Sequence, residues 1–202
     1  MRKLHDKYFK QAKREGHLAR SYYKLREINR RNRIIKKGDR VLDLGSCPGS
    51  WLEYILPAIG PRGMACAVDL KLINKQFKDK VVFIKKDVRE LTSEDFSGVT
   101  TSFNVIVSDM APNTSGVKSA DQARSIELCE AALDLATNML AAKGNFVCKV
   151  LEGPDLPDLR HRLAKCFTEV KVTKPDASRD ESMETYLVGL GWLEGGGMKP
   201  EA

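Results

Sequence analysis

Four aspartates and a lysine stand at or near the ends of five successive apolar runs in this 202-residue chain. Asp43 lies at the end of "VLDL", Asp69 ends "AVD", Asp87 follows "VVFIKK", Asp109 ends "VIVSD" and Lys149 lies in "FVCKVLEG". If these runs are parallel strands of one sheet, all five groups share the rim made by the strands' carboxyl ends. Ligands of open α/β sheets bind at that rim, where the strand order switches direction. One acid at a strand end is an ordinary helix cap. Polar groups at the same rim of five strands suggest one composite site.

The turn after the first run, Gly45-Ser46-Cys47-Pro48-Gly49, narrows what that site takes. No Gly-Lys-Ser/Thr follows it, so it is not a P-loop. It also lacks the G-x-G-x-x-G spacing of dinucleotide-binding folds. Its glycines allow close backbone approach, but it carries no lysine to cradle phosphate. Asp69 comes twenty residues after Gly49, where an acid can accept hydrogen bonds from ribose hydroxyls. Asp87 is placed to meet the exocyclic amine of a base. A cationic nucleoside without phosphates fits this pattern, and S-adenosyl-L-methionine is the expected cofactor. No metal is expected. The five cysteines are odd in number, lack any C-x-x-C pair and mostly fall in apolar patterns, as reduced thiols of a cytoplasmic protein do.

The elements that must hold these residues can be read from periodicity. Strands are expected at 40–44, 64–69, 81–84, 103–109, 145–151, 167–173 and 184–190, and helices at about 50–59, 121–142 and 157–166. Most strands are apolar throughout, as in a parallel sheet covered on both faces. The alternation predicts a doubly wound α/β domain over residues 40–191. Residues 192–202, with Gly195-Gly196-Gly197, are expected to be a disordered tail. No apolar run approaches the roughly 18 residues of a membrane span, and the N-terminus has no signal-like apolar region.

Residues 1–39 look helical, with Tyr22, Leu25 and Ile28 forming an apolar stripe. The charge is concentrated here. Residues 1–40 hold 15 Lys/Arg against 4 Asp/Glu, whereas the remaining 162 residues net −4. A basic arm ahead of a mildly acidic body suggests an RNA-binding extension.

The segments "KYFKQAKREGHLARSYYKLREI", "VLDLGSCPGSWLEY", "VSDMAPNTSG", "GNFVCKV" and "TKPDASRDESMETYLV" together resemble the FtsJ-type ribosomal RNA ribose 2′-O-methyltransferases over nearly the whole chain. The resemblance implies a Rossmann-like, S-adenosylmethionine-dependent methyltransferase fold, with a mostly parallel seven-stranded sheet and an antiparallel last strand. It implies cofactor contacts at Gly49, Trp51, Asp69, Asp87 and Asp109, and a catalytic tetrad of Lys24, Asp109, Lys149 and Glu184. It implies a uridine ribose of large-subunit (23S) rRNA as substrate, with a tRNA anticodon loop as the alternative, and a monomer in the cytoplasm. Ser46-Cys47 depart from the alanines usual in that family, and Cys47 is expected to make the cofactor site sensitive to thiol reagents.

The tetrad also makes geometric sense. Asp109 and Lys149 end neighbouring strands, and Glu184 shares their rim if the last strand is antiparallel. Lys24 must be carried there by the N-terminal helix. A ribose hydroxyl is a poor nucleophile until its proton leaves, so Lys149 is expected to orient it and accept that proton late in transfer. Rival chemistries fit less well. Asp109-Met110-Ala111-Pro112-Asn113 lacks the stacking aromatic of amino-directed base methylases. Cys47, inside the cofactor turn, could hardly serve as a cytosine C5 nucleophile. The missing dinucleotide fingerprint argues against a nicotinamide oxidoreductase, and the intact tetrad against a non-catalytic RNA-binding protein.

Overall fold

A computed structural model gives the fold, and it describes residues 3–73, 77, 81–178 and 181–193. Two helices, α1 (Lys3–Glu15) and α2 (Ser21–Asn32), precede β1 (Arg40–Leu44) and α3 (Ser50–Ile59). Then follow β2 (Met64–Val68), β3 (Val81–Ile84), two short 3-10 turns, β4 (Phe103–Ser108) and α4 (Lys118–Met139). β5 (Leu140–Leu151), α5 (Leu156–Ala164), β6 (Phe167–Thr173) and β7 (Glu184–Trp192) complete the chain.

The seven strands form one sheet in the order β3-β2-β1-β4-β5-β7-β6. The pairs from β3 through β5 are parallel, and β7 is antiparallel to both β5 and β6. The order reverses between β1 and β4, and side chains alternate across the sheet because successive residues point to opposite faces. Leu42, Leu44 and Ile106 pack against Cys129, Leu133 and Ala136 of α4 and Leu159 and Leu163 of α5. Val41, Val105 and Val107 pack against Leu25 and Ile28 of α2 and Leu52 and Ile55 of α3. Both faces are therefore buried, which is why the strands read as continuous apolar runs.

The register sets the rim. β1 and β4 pair Leu44 with Ser108, and Asp109 N then donates to Leu44 O at 3.1 Å. β5 and β7 pair Lys149 with Tyr186 and Leu151 with Glu184. The antiparallel return thus brings the start of β7 to the carboxyl ends of β4 and β5.

Several boundaries differ from expectation. The N-terminal helical segment is two helices rather than one, with the break at Gly16–Arg20. The helix expected to reach residue 142 stops at Met139, and β5 begins at Leu140. Lys143 has φ of 61°, a left-handed conformation that a continuing helix excludes, and the β4–β5 register shifts there. β7 runs on through Trp192, whose ring packs edge-on against Phe167 with centroids 5.0 Å apart. The expected tail therefore loses its first residue to the sheet, and its glycines lie outside the described residues.

Candidate active site

A cleft of about 880 Å³ opens at the carboxyl ends of β1, β2 and β4, the switch point of the sheet. Asp69, Asp87 and Asp109 line it together with Gly45, Cys47 and Met110. Gly45 has φ of 75°, and a Cβ there would lie 2.7 Å from the Met110 side chain. Gly49 has φ of 106°, and a Cβ there would lie 2.4 Å from the Phe77 ring. Both positions need glycine for backbone conformation and for space.

Asp69 fastens the turn to the second strand. Its Oδ2 accepts from Cys47 N and its Oδ1 from Lys71 N, both at 2.8 Å. Asp87 is held by a neighbouring side chain. Its Oδ1 accepts from Arg89 N at 3.0 Å and Nε at 2.9 Å, and its Oδ2 from Arg89 Nη2 at 2.5 Å. The hydrogen bonds from Arg89 hold the carboxyl down at about 2, so any base amine meets a carboxylate already gripped by a guanidinium. Trp51 does not line the cleft. Its indole is buried, and Nε1 donates to Ser21 O at 3.0 Å, which ties α3 to α2. Gly49 is likewise absent from the lining and supports the turn from behind.

Beside the cleft, two ion pairs meet around one tyrosine. Lys149 Nζ donates to the Asp109 carbonyl at 2.6 Å and to Asp109 Oδ1 at 3.1 Å. Tyr186 Oη donates to the same Oδ1 at 2.7 Å. Lys24 Nζ donates to Glu184 Oε2 at 2.8 Å and lies 5.7 Å from the centre of the Tyr186 ring. The four expected tetrad residues thus converge from α2, β5, β7 and the end of β4. Burial alone would raise the Asp109 carboxyl, but the charges of Lys149 and Lys24 and the hydrogen bonds from Tyr186 and Lys149 outweigh it and hold it below its usual value. Glu184 follows the same pattern, with burial outweighed by the charge and hydrogen bond of Lys24.

Two participants were not assigned from sequence. Tyr186 sits in an apolar run and reads as core, yet it lies two residues after Glu184, so strand alternation puts both on one face. Asp43 was legible as a strand-end acid without a task. It is buried on the α2–α3 side of β1, and neither carboxyl oxygen has a hydrogen-bond partner. Burial pushes its carboxyl well up, and the nearby charges of Asp109 and Asp69 push it further. Asp69 makes no ion pair among the described residues, so its carboxylate remains at the rim for a ligand's hydroxyl or cationic group. S-adenosylmethionine carries an ammonium and a sulfonium and no phosphate, so it fits the donor set.

A seven-stranded sheet of this order, with a cleft lined by both acids and bases at the switch point and no phosphate-binding lysine in its glycine turn, defines the class of S-adenosylmethionine-dependent methyltransferases. The profile of the FtsJ-like methyltransferases matches residues 18–192, and the chain belongs to that family. Ribosomal RNA large subunit methyltransferase E of Bdellovibrio bacteriovorus is 44% identical over 188 residues, covering 92% of this chain and 95% of that protein. The protein of the same name from Oleidesulfovibrio alaskensis is 45% identical over 194 residues, covering 95% of this chain and 94% of its own. A crystal structure provisionally assigned as a ribosomal RNA methyltransferase from Plasmodium falciparum superposes with a TM-score of 0.78 at 26% identity, covering 87% of this chain and 98% of that one. Among the described residues no helix is long and apolar enough to cross a membrane.

Proposed function

We propose that this chain methylates a ribose 2′-hydroxyl of RNA, a uridine in large-subunit rRNA during ribosome maturation. The observation that carries the reading is the meeting of Lys24–Glu184 and Lys149–Asp109 around Tyr186, beside the cleft. The names of the curated relatives favour rRNA over tRNA. When bound, S-adenosylmethionine supplies an electrophilic methyl group. Asp69 would hold its ribose, Asp87 its base, and the turn from Gly45 to Gly49 its amino-acid end, with Asp43 behind. Trp51 acts indirectly, by fixing α3 and hence the turn.

The chain's own residues handle the hydroxyl. The ion-paired ammonium of Lys149 must first release a proton to solvent; the two N–H donors that Asp109 accepts then leave the lone pair for the ribose hydroxyl. Lys149 orients that hydroxyl and takes its proton as the new O–C bond forms. Asp109 fixes the amine at one site while lining the cofactor cleft, which aligns acceptor and donor for in-line transfer. Lys24 and Glu184 hold the ribose against this pair. One chain supplies all four groups, so the reading needs no second copy. Residues 1–39 serve as the RNA-binding extension. The five free thiols accord with a cytoplasmic site of action.

The test is to map ribose methylation in total RNA from a strain lacking the gene, with and without the purified protein and labelled S-adenosylmethionine. Loss and restoration of one large-subunit rRNA mark is expected. Restoration of a tRNA mark instead would overturn the rRNA assignment.

A further inference from the structure

The N-terminal arginines do not all have the same surroundings. α2 buries Lys24, Leu25 and Ile28 on one side. Its opposite side carries Arg26, Arg30 and Arg33, spaced i, i+4 and i+7, so they lie in one row along the helix. All three are exposed, as is Lys37 beyond them. The row starts at Arg26, whose guanidinium lies 4.8 Å from the ring centre of Tyr23. Arg31 is off this line and is already occupied by Glu27 and Asp176. Arg30, Arg33 and Lys37 make no ion pair or side-chain hydrogen bond among the described residues.

Arg33 is also an unusual cap. It ends α2 with φ of 54° and ψ of 43°, a left-handed conformation in which glycine or asparagine is the common choice. Beyond Arg33 the chain leads through Lys37-Gly38 into the start of β1, at the rim made by the strands' amino ends, and Gly38 N donates to Ile59 O at 2.8 Å. The rise from Lys24 to Arg33 is about 14 Å along the helix axis at 1.5 Å per residue, about four stacked nucleotides at 3.4 Å per strand.

The geometry points to this row as a phosphate track: Arg26, Arg30, Arg33 and Lys37 bind the backbone of the RNA substrate beyond the methylated ribose, along the outer side of α2 toward the rim at the strands' amino ends. The inference rests on the RNA-methylating reading and extends it to how the substrate is held. The partner is a polyanion of regular charge spacing, because the cations repeat along a line and have no acidic partners of their own. These contacts carry no sequence information; they set register and affinity.

The test uses the full-length protein with a large-subunit rRNA fragment. The variant Arg30→Gln/Arg33→Asn/Lys37→Gln removes three charges and keeps a left-handed cap at position 33. A control, Arg62→Gln/Arg160→Gln/Lys165→Gln, removes three exposed charges elsewhere. For the track variant, RNA affinity at low salt is expected to fall by about tenfold or more, and the log–log salt slope to flatten by about 2 to 3. Its rate at saturating RNA, its S-adenosylmethionine affinity and its melting temperature are expected to stay at wild-type values, and the control to bind RNA as wild type. Unchanged affinity and slope in the track variant would overturn the inference. So would an equal loss in the control, or a loss confined to phosphatidylserine vesicles. If wild-type protein binds the fragment but transfers no methyl to it, the functional reading fails, while the slope still reports on the track.

Discussion

Lys149 Nζ is gripped twice by the same residue, at the carbonyl and at the carboxylate of Asp109. Asp109 has Leu44 O on its backbone N–H and Tyr186 on its side chain, so the amine hangs from a point fixed by three strands. Replacing it should remove the step that activates the hydroxyl and spare the cofactor. Lys149→Ala is expected to lose more than nine-tenths of the single-turnover rate with S-adenosylmethionine affinity unchanged. Lys149→Arg should fail as well, because guanidinium stays protonated and offers no lone pair. A residual rate above a tenth of wild type in either variant would remove Lys149 from an essential role.

Lys24 is predicted to act on the reacting ribose rather than on phosphate. Lys24→Ala should slow methyl transfer even at saturating RNA. Full rescue by excess RNA, measured in single-turnover assays, would assign it to simple phosphate binding.

The same substitution should change how stability depends on pH. Lys24 keeps the Glu184 carboxyl below its usual value against the opposing effect of burial. A carboxyl lowered in the folded state adds stability that is full above its unfolded value, about 4.3, and lost as pH falls through the lower folded value. Without Lys24 burial dominates, the folded value rises above the unfolded one, and Glu184 destabilises the fold at neutral pH. The loss of stability in Lys24→Ala, measured by urea unfolding followed by circular dichroism, should therefore be largest near neutral pH and shrink as pH falls through the Glu184 range. A loss that does not vary with pH would show that the pair has no such linkage.

Asp69→Ala should weaken S-adenosylmethionine binding by about 1.5–3 kcal/mol, the loss of a charge-assisted hydrogen bond, or roughly 10- to 150-fold. The substitution also releases Cys47 N and Lys71 N. The melting temperature of the cofactor-free protein separates a loosened turn from a lost contact. Calorimetry showing wild-type affinity would exclude Asp69 from the site.

Cys47 lines the cleft and is half-buried, whereas the other four cysteines are buried. Burial raises its thiol above the ordinary value, and the Asp69 charge adds to this. Little thiolate is present at neutral pH, so iodoacetamide should label Cys47 slowly there and faster as pH rises. S-adenosylmethionine should protect it. Labelling that cofactor does not slow, read by peptide mass spectrometry, would place the cofactor away from the turn.

What the sequence determined by itself follows from short-range rules. Apolar runs of four to seven residues marked the strands, and a two-glycine turn after "VLDL" marked the switch point. Acids at strand ends located the rim, because in a parallel sheet every strand ends on the same side. What it could not decide are relationships set by pairing and packing. Lys24 and Glu184 are 160 positions apart, and they meet because β7 returns antiparallel to β5 and α2 packs on the sheet through Leu25 and Ile28. Tyr186 looked like core because hydrophobicity does not show where a phenol points. Arg89 lies two residues past Asp87, and only the folded turn closes it on the carboxylate. The arginines of α2 were one basic cluster in composition. Tertiary structure divided them, pairing Arg31 with Glu27 and Asp176 and leaving Arg30 and Arg33 facing solvent, because whether a charge is spent depends on which acids the fold brings within about 4 Å of it.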